Sequence, residues 1–243
     1  SFKLAQHLGP YSWFKLSYNL LPDLYLRNYI DKDTPVFYPI DSYTDFDSSS
    51  IGELFKSAFF SNEIFSIQYS HSLPIKKTYF SINYSLQNQF YSQDFTEFDL
   101  SIDNYKIGLF FRNIPNLKIS TNFSKSSAKN VSLKNGLLSS EHKDRSFNQT
   151  RIWASFSFYG YKNLIFDEIG ISTSVESRSF SSLLPMDPLH EGRSHSDYKL
   201  SGWFERGISD KISYKIIGSY RNRATSSNEE FVESLKSFEK YDF

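Results

Sequence analysis

The residues of this chain that could do chemistry are few and scattered. The five histidines are His7, His71, His142, His190 and His195, and there is no cysteine. That excludes a disulfide framework, a thiolate metal site and a cysteine nucleophile. Asp187, His190, Glu191, His195 and Asp197 form the one sequence cluster with the donor types of a divalent-metal site. Pro185 and Pro188 interrupt regular structure there, and a solvated charged loop accounts for the same residues, so no metal is assigned. His195-Ser196-Asp197 contains the residue types of a hydrolytic triad. Neighbouring residues on a strand point to opposite faces, however, so these three cannot form one triad among themselves. No Gly-rich phosphate loop or zinc-protease helix motif occurs. No catalytic residue and no cofactor is expected.

A second set of residues is more coherent. Lys15, Lys106, Arg112, Lys118, Arg151, Glu176, Arg178, Lys199, Glu205, Lys215 and Arg221 all fall opposite an apolar stripe in segments that alternate strictly. If that stripe meets lipid, these charges line the enclosed side or its rims, because charge on the lipid face costs ~2–4 kcal/mol at mid-membrane. The mixture leans basic, which points to anionic solutes. A lumen plugged by Lys/Arg–Glu pairs would use the same residues.

The elements that must position them are strands. Phe14, Leu16, Tyr18 and Leu20 alternate with Trp13, Lys15, Ser17 and Asn19, and Phe80, Ile82, Tyr84 and Leu86 with Ser81, Asn83, Ser85 and Gln87. A period of two over eight residues signals a strand and not a helix. The same pattern runs through 65–71, 117–125, 151–159, 169–176, 198–206 and 212–221, with a weaker segment at 24–30. Segment 98–111 changes phase near Asn104, which predicts a bulge. The total is about ten strands, each near the ~9–11 residues that cross a membrane at a tilt.

Composition agrees. Aromatic residues make up 18 % of the 243, with 24 Phe and 17 Tyr against a single Met, which suits strands better than helices. The 27 basic and 27 acidic residues cancel, so no global field favours nucleic acid. No apolar run of about eighteen residues exists for a transmembrane helix. A mean hydropathy of -0.46 is compatible with a barrel, in which only alternate side chains meet lipid. Aromatics near strand ends, Trp13, Phe90, Phe111, Tyr159, Trp203 and Tyr220, suggest interfacial girdles.

Short links at Leu21-Pro22-Asp23, 73–77, 113–116, 161–165 and 207–211 alternate with long polar stretches at 31–52, 88–96, 126–150, 179–196 and 222–240. An up-and-down barrel does this when tight turns face the periplasm and long loops face outward.

In this texture the whole chain resembles bacterial outer-membrane β-barrels. Tyr220-Arg221-Asn222, Ser227-Asn228 and Tyr241-Asp242-Phe243, with Leu24-Tyr25-Leu26-Arg27-Asn28-Tyr29 and Phe95-Thr96-Glu97-Phe98-Asp99, resemble the surface lipoprotein assembly modifiers, whose barrels follow a periplasmic helical-repeat domain. The resemblance implies a final strand after Phe243 and an upstream repeat domain, so 1–243 is expected to be one barrel domain that is incomplete at the C-terminus and open at the N-terminus.

The expected fold is therefore all-β, an antiparallel up-and-down transmembrane barrel in the bacterial outer membrane, with about twelve to fourteen strands when complete. The expected role is non-enzymatic: a pore, conduit or membrane anchor, with lipid, small solutes and periplasmic or envelope proteins as partners and no nucleic acid. An export barrel with a periplasmic partner, an outer-membrane hydrolase and a soluble β-rich binding module are the alternatives.

Overall fold

The computed structural model describes residues 1–30, 55–75, 77–91, 99–112, 114–131, 133–134, 137–138, 144–159, 166–183, 187–209 and 212–242. The expected connections at 31–52 and 161–165, most of that at 88–96, and His142, Pro185 and Phe243 lie outside them.

The chain runs through β1 (Phe2–His7), β2 (Ser12–Ile30), β3 (Phe55–Ser72), β4 (Thr78–Tyr91), β5 (Leu100–Phe111), β6 (Leu117–Asn130), the short pair β7 (Leu133–Lys134) and β8 (Leu137–Leu138), β9 (Phe147–Tyr159), β10 (Glu168–Phe180), β11 (Ser194–Ser209), β12 (Ile212–Ser226), a helix α1 (Glu230–Lys236) and β13 (Phe238–Asp242). Apart from β7–β8, the strands form one 11-stranded sheet in the order β1-β2-β3-β4-β5-β6-β9-β10-β11-β12-β13. Every pairing is antiparallel. The fold is thus an all-β up-and-down meander, and short and long connections alternate along it.

Local chemistry explains the tight ends. In the β5–β6 link, Pro115 is followed by Asn116 at φ 62, and Leu117 N donates to Ile114 O at 3.2 Å. Proline fixes the first central position of the turn and Asn tolerates the left-handed second one.

Three expectations need correction. Leu21-Pro22-Asp23 is not a turn: β2 continues through it, with register shifts between Leu21 and Leu24 and between Tyr25 and Arg27. A bulge is one of the few places in a strand that accepts proline's missing N–H. Segments 13–20 and 24–30 are therefore one strand, while β1 and β13 add two that alternation did not reveal. The phase change in β5 is real but needs no bulge, since its register against β4 and β6 runs unbroken. Leu100 and Ile102 are apolar because they pack on Ala128, Phe147 and Phe180, forming a small core on the otherwise polar face. Finally, 227–237 contains α1, which buries Val232.

Candidate functional site

Register sorts the side chains into two faces. One row across the sheet reads Gln6, Phe14, Tyr69, Ile82, Ile107, Phe123, Ile152, Val175, Tyr198 and Asn222. Neighbouring rows on this face add Leu16, Ile67, Leu109, Phe156, Ile171, Leu200 and Ile216. These residues are not hidden: Ile107 is 55 % exposed, Val175 51 % and Ile216 53 %. The face opposite is polar, and Ser70, Ser157, Ser174, His195 and Asp197 on it are buried. This inverts the usual order, in which the burial of apolar side chains drives folding in water.

All eleven charged residues singled out by phase lie on the polar face. Glu176 stands across from Arg151 on β9 and Asp197 on β11. Arg221 stands across from Lys199, Lys106 from Ser124, Lys118 from Ser157, Lys215 from Glu205 and Lys15 from Gln68. Arg112, just beyond β5, donates to the Tyr159 hydroxyl and lies over its ring at 4.4 Å.

The charges of β10–β12 form a network. Asp197 holds Arg221 at 2.7 Å and Arg223 at 2.8 Å, and both guanidiniums lie over Phe238 at 5.5 and 5.0 Å, which ties β13 to the sheet. Arg178 pairs with Glu176 at 3.3 Å, donates to Gln149 Oε1 and covers Phe147 at 4.2 Å. Lys215 pairs with Glu205 at 3.7 Å. Arg223 is a partner that phase reasoning passed over, although its phase matches that of Arg221.

At the end of the sheet with the long connections, residues 187–193 lie beside Phe180. Arg193 stacks on that ring at 3.9 Å, and burial, followed by the nearby Arg178, pushes its guanidinium down to about 10. Asp187 accepts from Asp144 N at 2.9 Å and from His190 Nδ1 at 2.8 Å. It is therefore a loop anchor. His195 Nε2 lies 3.8 Å from Glu176, too far for a hydrogen bond. His195 Nε2, Arg193 Nε and Thr225 Oγ1 are buried without hydrogen-bond partners.

The sequence cluster of carboxylates and histidines does not come together: Asp187 and His190 satisfy each other, and Asp197 is taken by its arginines. Among the described residues no three His, Asp or Glu are placed to hold a metal. Ser196 faces away from His195 and Asp197, so these three do not form a triad. The expected girdles also divide by face. Phe90, Phe111 and Tyr220 lie on the apolar side, but Trp13, Tyr159 and Trp203 lie on the polar one. Position near a strand end does not fix the face a side chain takes; only phase does. Two other aromatics of the apolar face carry a polar partner: Tyr18 donates to Glu63 at 2.8 Å, and Tyr84 to Asp103 at 2.6 Å. Both stand where the apolar face turns polar.

No helix among the described residues is long and apolar enough to cross a membrane, which says nothing of strands. Comparison with protein-family models, curated proteins and solved structures finds no match.

Proposed function

We propose that this chain forms the wall of a transmembrane β-barrel in the outer membrane of a Gram-negative bacterium. Its apolar face meets lipid, and its polar face encloses a passive pore or conduit. The observation that carries the reading is the inverted hydrophobicity: an apolar face runs from β2 to β12, exposed at residues such as Leu20, Ile82, Ile107, Phe123, Ile152, Val175 and Ile216, while the buried Ser70, Ser157, Ser174, His195 and Asp197 lie on the face opposite. Soluble monomers rarely expose contiguous apolar patches beyond a few hundred Å². A closed strand ladder is the β-structure that satisfies all its backbone groups in lipid.

The slope of the apolar band supports closure. On β3 the band gives way to polar residues at Glu63, and on β12 at Asn222. Register carries Asn222 through Tyr198, Val175, Ile152, Phe123, Ile107 and Ile82 to Tyr69, six residues along β3 from Glu63. A level lipid boundary thus slips by roughly one residue per strand, the stagger of strands tilted ~35–45° around a barrel axis. A fully antiparallel barrel has an even strand number. β1 and β13 run in the same direction, so closing the circle takes a parallel seam or a further strand beyond the eleven.

Heat modifiability tests the reading. Detergent-extracted protein is expected to migrate differently on a gel before and after boiling, and to float with vesicles of phosphatidylethanolamine and phosphatidylglycerol. Protein that stays in the aqueous fraction without detergent and shows no mobility change would sink it.

A further inference from the structure

The charges of the polar face are unequally satisfied. Every described acid on the strands of that face is engaged: Glu176 by Arg178, Asp197 by Arg221 and Arg223, Glu205 by Lys215 and Asp242 by Lys240. Glu168 accepts from Trp203 Nε1 at 3.2 Å. The cations are more numerous. Lys15, Lys106, Lys118, Arg151 and Lys199 share the face, and none has a described carboxylate within ion-pair distance. Arg151 stands across from Glu176, but Arg178 makes the ion pair with that carboxylate.

Four of these cations form a belt, and Lys118 stands apart, six residues along β6 from Ser124. Lys106 and Arg151 lie on one row, separated by Ser124, which sets them about 10 Å apart at two strand spacings. Lys15 lies on the same row, three strands from Lys106 through Gln68 and Asn83, or about 14 Å. Lys199 is one row away, across from Ser174. These separations exceed the ~8 Å screening length of physiological salt, so on an open surface the charges would act largely one by one. Within a lumen, low-dielectric walls concentrate the field. Paired acids cannot cancel it.

We infer that the polar face is an anion-concentrating surface, and that the solutes it admits or holds are small anions, the neutral Ser, Asn and Gln side chains between the cations supplying hydrogen bonds. The inference rests on the barrel reading and names the solute class for it.

The tryptophans provide a direct test. The chain has three, and Trp13, Trp153 and Trp203 all lie on the polar face, across from Ser70, Ser174 and Gly170. Their fluorescence therefore reports ion access to that face alone. With the full chain in lipid vesicles at low ionic strength, iodide is expected to quench roughly threefold more strongly than caesium. The difference should close near ~1 M salt, where the screening length falls to ~3 Å. The variant K106Q/R151Q/K199Q removes no ion pair and should bring the two quenchers level while keeping the heat-dependent mobility shift. Equal quenching in the wild type, or an iodide preference that survives in the variant, overturns the inference and leaves the barrel standing. Strong quenching by brominated acyl chains, with no mobility shift, would place the tryptophans in lipid and overturn both. Where vesicles conduct, a chloride-selective reversal potential that collapses in the same variant is expected, and a cation-selective one overturns the anion reading.

Discussion

The polar faces of β3–β4 and of β10–β12 occupy the same sheet and solve the same problem by different chemistry. On β3 and β4 the polar-face residues are neutral, Ser66, Gln68 and Ser70 beside Ser81, Asn83, Ser85 and Gln87. They are joined by single hydrogen bonds such as Gln68 to Ser70 at 3.0 Å and Gln87 to Asn62 at 3.0 Å. On β10–β12 the same positions carry Glu176 paired with Arg178, and Asp197 paired with both Arg221 and Arg223. Backbone pairing runs unbroken past these residues in both regions. Charge is therefore not what makes the sheet. What it adds is a penalty for disturbing the network, because a buried charge that loses its partner costs far more than a lost neutral hydrogen bond.

The strongest way to break the comparison is Asp197→Asn. The carboxylate is nearly buried and faces two guanidiniums, so its loss leaves Arg221 and Arg223 repelling each other beside Phe238. A destabilisation of about 3 kcal/mol is expected, the lower end for a broken buried pair because both arginines are partly exposed. Urea titration of the heat-modifiable form measures it. Neutralising all three residues together should recover much of the loss, since an intact ion network contributes little beyond its neutral replacement. A single variant within about 0.5 kcal/mol of wild type, the range of ordinary surface substitutions, would show that the network carries no such penalty.

Two glycines sharpen the contrast. A Cβ on Gly170 would lie 2.2 Å from Trp203 Cζ2, and the indole cannot swing aside without leaving Glu168 and the Lys215 ammonium 5.6 Å from its ring. Gly170→Ala is expected to cost about 2 kcal/mol by overpacking and to shift tryptophan emission. A Cβ on Gly108 meets Asn122 Oδ1 at 2.7 Å and Ser81 Oγ at 3.0 Å, the ends of small side chains that can rotate. Gly108→Ala should stay below about 1 kcal/mol. Equal losses, measured by the same titration, would mean that the neutral region is packed as rigidly as the charged one.

Much of this arrangement was legible in the residues. Alternation in 79–87 marks β4 with its faces in the right phase, and the same phase puts all eleven charged residues on one side. Partners were not legible. Asp197 meets Arg223 only because the tight β11–β12 end sets their register, and a bulge between Gly207 and Ser209 alters the count. Arg178 reaches Gln149 across the 160–165 link, whose length alone does not fix a pairing. Leu100 and Ile102 misled for another reason: their packing partners Phe147 and Phe180 lie far along the chain, so an apolar patch on a polar face read as a slip of the strand. The unequal pairing of acids and bases, which carries the anion inference, needs both phase and register, and only phase can be read from sequence.

The smallest expected effect lies in the neutral region. Gln87→Ala removes one hydrogen bond, to Asn62 Oδ1, and leaves no charge behind. A loss of about 1 kcal/mol or less is expected. Because Asn62 keeps access to other polar neighbours on this face, a double-mutant cycle with Asn62→Ala should give a coupling of roughly 0.5 kcal/mol. The corresponding cycle for Asp197 and Arg223 should exceed about 1.5 kcal/mol, since loss of the nearly buried Asp197 strands the Arg223 charge. The ratio of the two couplings is the informative quantity, because the detergent and denaturant conditions are common to both. If Gln87–Asn62 couples as strongly as Asp197–Arg223, the contrast between the two regions is one of residue type and not of energy. The ionic network would then matter for the potential it shapes rather than for the stability it confers.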